Sequence, residues 1–245
     1  MEIRQVDAGN GWQWIVEAFE LFKLNPLMWI VLLLTYLLIA VVLTFVPVIG
    51  SLVFNLIGPV FAAGFMMACR ALDNGEELLI NHLFAGFKEN TGQLIAIGGI
   101  YLAGMIVIMG AVVAGMVSVG VDLSVLSKGI PPDAETSKTL LLAVLFGSLL
   151  VIPLIMAYWF APALVALNNL SAVEAMKQSF NACLHNMLPL FVFSIIAALL
   201  LLLAMIPFGL GLLVFFPIMI AVLYTSYKDI FNIQMSDQVA LTTNG

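Results

Sequence analysis

Phe19-Glu20-Leu21-Phe22-Lys23-Leu24-Asn25-Pro26 decides the fold, because an uncharged stretch from Pro26 to Cys69 follows it directly. The same heptad recurs as Phe84-Ala85-Gly86-Phe87-Lys88-Glu89-Asn90, ahead of the uncharged stretch Thr91 to Val121. A third copy keeps only its ends, as Phe180-x-x-Cys183-x-x-Asn186, and leads into Asn186 to Tyr227, again without Asp, Glu, Lys or Arg. A fixed pattern that always precedes apolar sequence describes a polar elbow feeding a membrane helix.

Length converts these stretches into spans. A crossing needs about 20 apolar residues at 1.5 Å each, so Pro26–Cys69 and Asn186–Tyr227 each predict a helical hairpin. Thr91–Val121 and Thr139–Val173 supply one span apiece. The expected fold is therefore an all-α integral membrane protein of six transmembrane helices. It is arranged as three repeated units of interfacial helix plus hairpin, at about residues 1–72, 76–168 and 169–235, in one membrane domain over 1–245 with a short polar tail at 236–245. Composition agrees: 63% of the 245 residues are hydrophobic and 9% charged, where a soluble domain carries roughly 25% charged residues.

Proline and glycine mark the hairpin turns at Val46-Pro47-Val48-Ile49-Gly50 and Ile206-Pro207-Phe208-Gly209. Pro59 and Pro217 follow, each eleven residues before a cation, Arg70 and Lys228, and Pro153 holds the like place in the middle unit. The middle unit differs in its loop, Gly120 to Lys138, with Asp122, Lys128, Pro131, Pro132, Asp133 and Glu135. Six cations (Arg4, Lys23, Arg70, Lys88, Lys177, Lys228) fall on the side of both termini against Lys128 and Lys138 on the other. That asymmetry is expected to place both termini in the cytoplasm. No signal peptide is expected, since Met1 to Asn25 has no unbroken apolar core.

Trp14, Ile15, Ala18, Phe19 and Phe22 share one helical face opposite Gln13, Glu17, Glu20 and Lys23, which predicts an interfacial helix with Trp12, Trp14 and Trp29 at headgroup depth. The acids, among them Glu17, Glu20, Asp73, Glu76, Glu77 and Glu89, are expected to solvate loops. Gly99, Ala103, Gly110, Ala114 and Ser118 lie on one face of the third span and predict close helix packing, within the chain in preference to between copies.

Chemistry is absent from the motifs. His82 and His185 have no donor cluster of metal-binding spacing beside them, and Asp73-Asn74-Gly75-Glu76-Glu77 reads as a turn, not a calcium loop. Cys69 and Cys183 are expected free on the reducing side. No Gly-x-Ser-x-Gly elbow or phosphate loop occurs, and Ser148, Ser194 and Ser226 are expected to bond to backbone carbonyls. No ionisable group lies deep in a span, which argues against proton-coupled transport, while the prolines allow either kinks or broken helices at a midplane site. No catalytic, cofactor or metal residue is assigned.

The elbow and paired spans resemble a diffuse group of bacterial multi-pass proteins. It includes the YciC-type inner-membrane proteins and the membrane domain that accompanies some glycerophosphodiester phosphodiesterases. The resemblance implies a six-span inner-membrane protein and brings no catalytic residues; the soluble phosphodiesterase domain is not expected here, as no long polar segment exists to form it. The expected function is a non-catalytic lipid- or partner-binding accessory protein, with a channel or carrier for a neutral or apolar solute as the alternative. Membrane lipids are the expected partners, then another membrane protein or a second copy of the chain, and not nucleic acid. Phe19, Phe22, Lys23, Asn25, Phe84, Phe87, Lys88, Asn90, Phe180 and Asn186 are the elbow residues expected to contact lipid or hold the architecture.

Overall fold

The first elbow turns into the membrane for local reasons. A computed structural model describes residues 3–121 and 133–231; in it α1 runs Asn10–Leu24 and α2 runs Pro26–Thr44. Asn25 leaves the helical conformation between them, at φ −153° and ψ 71°, and its side-chain oxygen accepts the backbone N–H of Met28 at 3.2 Å. Pro26 fills the first helical position, where a missing N–H costs nothing.

The chain then reverses and returns as α3, Ile49–Asp73. A 3-10 helix, Ile80–Phe87, leads into α4, Thr91–Ser118. Beyond the middle loop come α5 (Ala134–Trp159) and α6 (Ala161–Asn168), then α7 (Ala172–His185), α8 (Met187–Met205) and α9 (Leu212–Ile230). Six segments are long and apolar enough to cross a membrane: α2, α3, α4, α5 with α6, α8 and α9. The two proline turns are alike in backbone, since Val48 and Phe208, each following its proline, both take positive φ (64° and 54°). The described parts of the middle loop are its two ends; Asp122, Lys128, Pro131 and Pro132 lie outside the described residues, as does the 236–245 tail.

The core sits at one end of the bundle, where Trp14, Ala18, Trp29, Met66, Phe160, Leu164, Tyr227 and Ile230 are buried. Two glycines seat the 3-10 helix on α3: a Cβ at Gly64 would stand 2.3 Å from the carbonyl oxygen of Leu83, and one at Gly86 2.3 Å from that of Val60. The backbones touch where only glycine allows it. Elsewhere α4 and α5 leave Ile106, Val107, Leu145 and Leu149 exposed, as side chains facing acyl chains would be.

Three expectations are corrected. Trp14 and Trp29 are buried within the protein and not wetted at its surface, and α1 lays its apolar face, Trp14 included, on α8 and α9. Trp14 donates its indole N–H to Asp229 at 2.8 Å and Trp29 donates to the carbonyl of Leu21 at 3.4 Å, so both find partners inside the protein; only Trp12 stays half exposed, at 49%. Asp73 does not merely solvate a loop: it accepts the Tyr224 hydroxyl at 3.0 Å and pairs with Lys228, while Glu17 stays exposed on α1 within reach of the charges of Asp229 and Asp73. The stripe on the third span does not pack within the chain. Ala103, Gly110 and Ala114 are exposed, Gly110 has nothing within 4 Å of its Cβ position, and Gly99 meets only the tip of Leu56 at 3.8 Å. The close approach belongs to Gly98, one residue away, whose Cβ would lie 2.6 Å from the carbonyl oxygen of Leu56 and 2.9 Å from that of Asn55.

Candidate functional site

The three elbow asparagines do three different things. Asn25 caps α2, as above. Asn90 adopts φ 56° and donates to the side-chain oxygen of Asn169 at 2.6 Å, tying the start of α4 to the end of α6. Asn186 is fully buried: it accepts the Val6 N–H at 2.9 Å and donates to the carbonyls of Arg4 and Ala182, each at 3.0 Å. The phenylalanines diverge as well. Phe22 is buried while Phe19 is exposed under Lys23, whose ammonium lies 5.2 Å from the ring centre and also pairs with Glu20 at 2.8 Å. Phe84 and Phe87 rest edge-on against Phe61 at 6.2 and 5.3 Å, Lys88 is exposed, and Phe180 is half buried.

At the end that holds Arg4, a polar cluster joins the N-terminal segment to α9. Asp229 accepts from Asn10 at 2.7 Å and from Trp14, and faces Arg4 at 3.6 Å; Thr225 donates to the carbonyl of Trp14 at 2.9 Å. Burial, then the charges of Asp229 and Asp73, push the Glu17 carboxyl above its usual range, against the lowering pull of Lys228. This cluster is paired, and its members are consumed in holding helices together. Residues Asp73 to Glu77 form a helix end: Glu76 N–H returns to Ala71 and Gly75 N–H to Leu72, the paired bonds of a Schellman turn.

A second polar device bends the fourth span. The Ser179 hydroxyl of α7 donates to the Met156 carbonyl at 2.6 Å and accepts the Phe160 N–H at 2.9 Å. Those two backbone groups are the ones an unbroken helix would join, so the inserted hydroxyl separates α5 from α6. Cys183 lies beside them, its thiol 3.5 Å from the Met156 carbonyl and pushed by burial up to about 12. Cys69 and Cys183 are both free. Among the described residues no three His, Cys, Asp or Glu side chains gather as a metal site. His82 accepts the Leu79 N–H at 3.1 Å, and His185 meets the carbonyl of Asn181 at 2.8 Å.

One feature with room for a ligand is a cavity of about 500 Å³ between α2, α3, α4, α5 and α9. Tyr36, Tyr101 and Tyr158 enter it from three different helices, and Asn55 stands at its exposed edge. Its lining contains no Asp, Glu, Lys, Arg or His. Tyr101 and Tyr158 lie 4.8 Å apart between ring centres, and Tyr36 sits edge-on to Phe61 at 5.5 Å and Phe65 at 5.8 Å. The contact of Gly98 with α3 closes one wall, bringing α4 near enough for Tyr101 to face Tyr158. These tyrosines lie outside the elbow motif. A signal was present: Tyr36 follows Asn25 by eleven residues and Tyr101 follows Asn90 by eleven.

Six apolar segments, five of which line an uncharged aromatic cavity, define an integral membrane protein. Within that class, the chain belongs to the family described as a domain of unknown function, DUF7847, whose model matches residues 13–243. It is 32% identical over 194 residues to a protein named as a probable inner membrane protein in Burkholderia thailandensis, a match covering 76% of this chain and 71% of that one. No solved structure matches it.

Proposed function

We propose that this chain is a bacterial inner-membrane protein that binds lipid within its helix bundle and performs no chemistry of its own. The cavity carries this reading. Its volume falls in the range of about 300–1,000 Å³ typical of single-ligand sites, and its walls offer aromatic rings and tyrosine hydroxyls without an acid, base or cation. Hydrolysis or phosphoryl transfer would call for such groups. The relative from Burkholderia supports the inner-membrane location, and the six-to-two distribution of cations supports cytoplasmic termini. Reporter fusions after Gly245 and within residues 129–133 test that orientation; a translocated C-terminus overturns it.

The reading as three repeated units, akin to YciC-type proteins, draws on the matched turns at Val48 and Phe208 and on the spacing of Tyr36 and Tyr101. The middle elbow departs from it by folding as a 3-10 helix, and the third unit has Ala197 at the tyrosine position.

Native mass spectrometry of the protein extracted gently from its own membrane tests lipid binding. A selectively retained lipid at one per chain is expected, and bare protein overturns the proposal. A neutral-solute carrier is the second reading. Pro59 favours it, because it removes the N–H that would bond to the cavity residue Asn55 four positions earlier and so loosens that wall. Solute flux in liposomes would separate carriage from binding.

A further inference from the structure

The five tyrosines of the chain divide into two kinds. Tyr224 and Tyr227, near the core end, give their hydroxyls to Asp73 and Asn168. Among the described residues, the hydroxyls of Tyr36, Tyr101 and Tyr158 make no hydrogen bond with any protein group, and all three face the same cavity. A phenol inside a membrane without a partner costs free energy that a leucine or phenylalanine would not.

Their depth is shared. Tyr36 stands ten residues after Pro26, Tyr101 ten after Thr91, and Tyr158 ten before Asn168, all counted from ends on the same side of the bundle. At the helical rise, ten residues place Tyr36 and Tyr101 about 15 Å from that end, the middle of a hydrocarbon core roughly 30 Å thick, and Tyr158, which lies beyond the bend between α5 and α6, is brought level with them by its ring contact with Tyr101 at 4.8 Å. Three unpaired donors from three spans thus meet at one level, halfway across.

We infer that the cavity holds an uncharged amphipathic lipid whose flat, carbonyl- or hydroxyl-bearing ring lies at mid-bilayer among Tyr36, Tyr101 and Tyr158. This rests on the lipid-binding reading and narrows it. A phospholipid is excluded by charge and by depth, since its phosphate belongs at the surface and the cavity lining has no Lys, Arg or His to meet it. A bare hydrocarbon would leave the three hydroxyls unbonded. A neutral ring with polar substituents answers both conditions. Its carbonyls accept from tyrosine, and its faces lie against aromatic walls such as Phe61, Trp159 and Phe216. Asn55 adds a polar edge: its amide donates to the Ser51 carbonyl at 2.8 Å, which leaves its oxygen free to accept from a ligand hydroxyl.

The test is a binding titration of the full-length protein in detergent, followed by native mass spectrometry. Its three probes are a prenylated benzoquinone, a hydrocarbon of matching tail length, and phosphatidylglycerol. The wild type is expected to hold one quinone per chain at least tenfold more tightly than the hydrocarbon, and phosphatidylglycerol is expected not to displace it. The variant Y36F/Y101F/Y158F keeps every ring and removes only the hydroxyls. It is expected to lose that preference while keeping its thermal midpoint. Equal binding of quinone and hydrocarbon, an unchanged preference in the variant, or displacement by phosphatidylglycerol each overturns the tyrosine assignment, and the first and third leave lipid binding standing. Failure to retain any probe or native lipid overturns both readings.

Discussion

The side-chain oxygen of Asn186 accepts the backbone N–H of Val6 at 2.9 Å, across 180 residues of sequence. One buried amide thereby holds the N-terminal segment against the junction of α7 and α8, aided by its donation to the Arg4 carbonyl. Asn186→Leu keeps the volume, removes all three bonds and strands the Val6 N–H. A loss of about 2 to 3 kcal/mol is expected, since each buried group left unpaired costs about 1–3 kcal/mol. Asn25→Ala removes only a cap and is expected to cost about 1 kcal/mol. Unfolding in mixed micelles would rank the two, and hydrogen exchange at residues 3–7 should rise only in Asn186→Leu.

Ser179→Ala removes the hydroxyl that separates Met156 from Phe160. The two backbone groups are then free to rejoin, so α5 and α6 are expected to straighten, with a stability loss of about 1 kcal/mol. Spin labels at exposed Leu145 on α5 and at exposed Val173, just beyond α6 at the start of α7, would report a changed distance across the bend. An unaltered distance would mean that Pro162 alone sets the bend.

Gly98 and Gly110 make a matched pair of tests. An alanine at Gly98 meets the Leu56 carbonyl, and overpacking of this kind costs about 1–3 kcal/mol. An alanine at Gly110 meets nothing, and a change within about 0.5 kcal/mol is expected. If Gly110→Ala proved the costlier in the membrane, the exposed stripe would be an interface between chains.

Glu17 carries a pH signature of definite sign. Burial first, then Asp229 and Asp73, raise its folded-state pKa, and Lys228 only partly offsets them. The folded protein therefore binds this proton more tightly than the unfolded chain does. Stability from this site is full below the ordinary carboxylate pKa, falls as pH rises through the window above it, and levels off beyond the raised value. Glu17→Gln is expected to flatten that slope and to match or exceed the wild type at pH 8, with the advantage vanishing below pH 4.5. Denaturation midpoints measured from pH 4 to 8 would show it.

Membership of the membrane class and the number of spans were legible in the sequence, because a hydrocarbon slab imposes one length on any helix that crosses it. The stops were equally local: Asn25-Pro26 begins a helix and Val46–Gly50 reverses one through their own backbone preferences. What each elbow residue touches was not legible, since Asn25, Asn90 and Asn186 occupy the same motif position yet cap a helix, bridge two spans and pin the N-terminal segment. Trp14 reads as an interfacial ring until Asp229, 215 residues later, supplies its partner. Gly99 and Gly98 differ by one residue and hence by about 100° around the helix, which decides whether a glycine presses on the Leu56 backbone or meets only the tip of its side chain. The sequence alone determined where the chain crosses the membrane, because that depends on local apolar length. Only the tertiary structure decided which polar groups are satisfied and which three tyrosines line one cavity, because both depend on neighbours that the chain brings together from far apart.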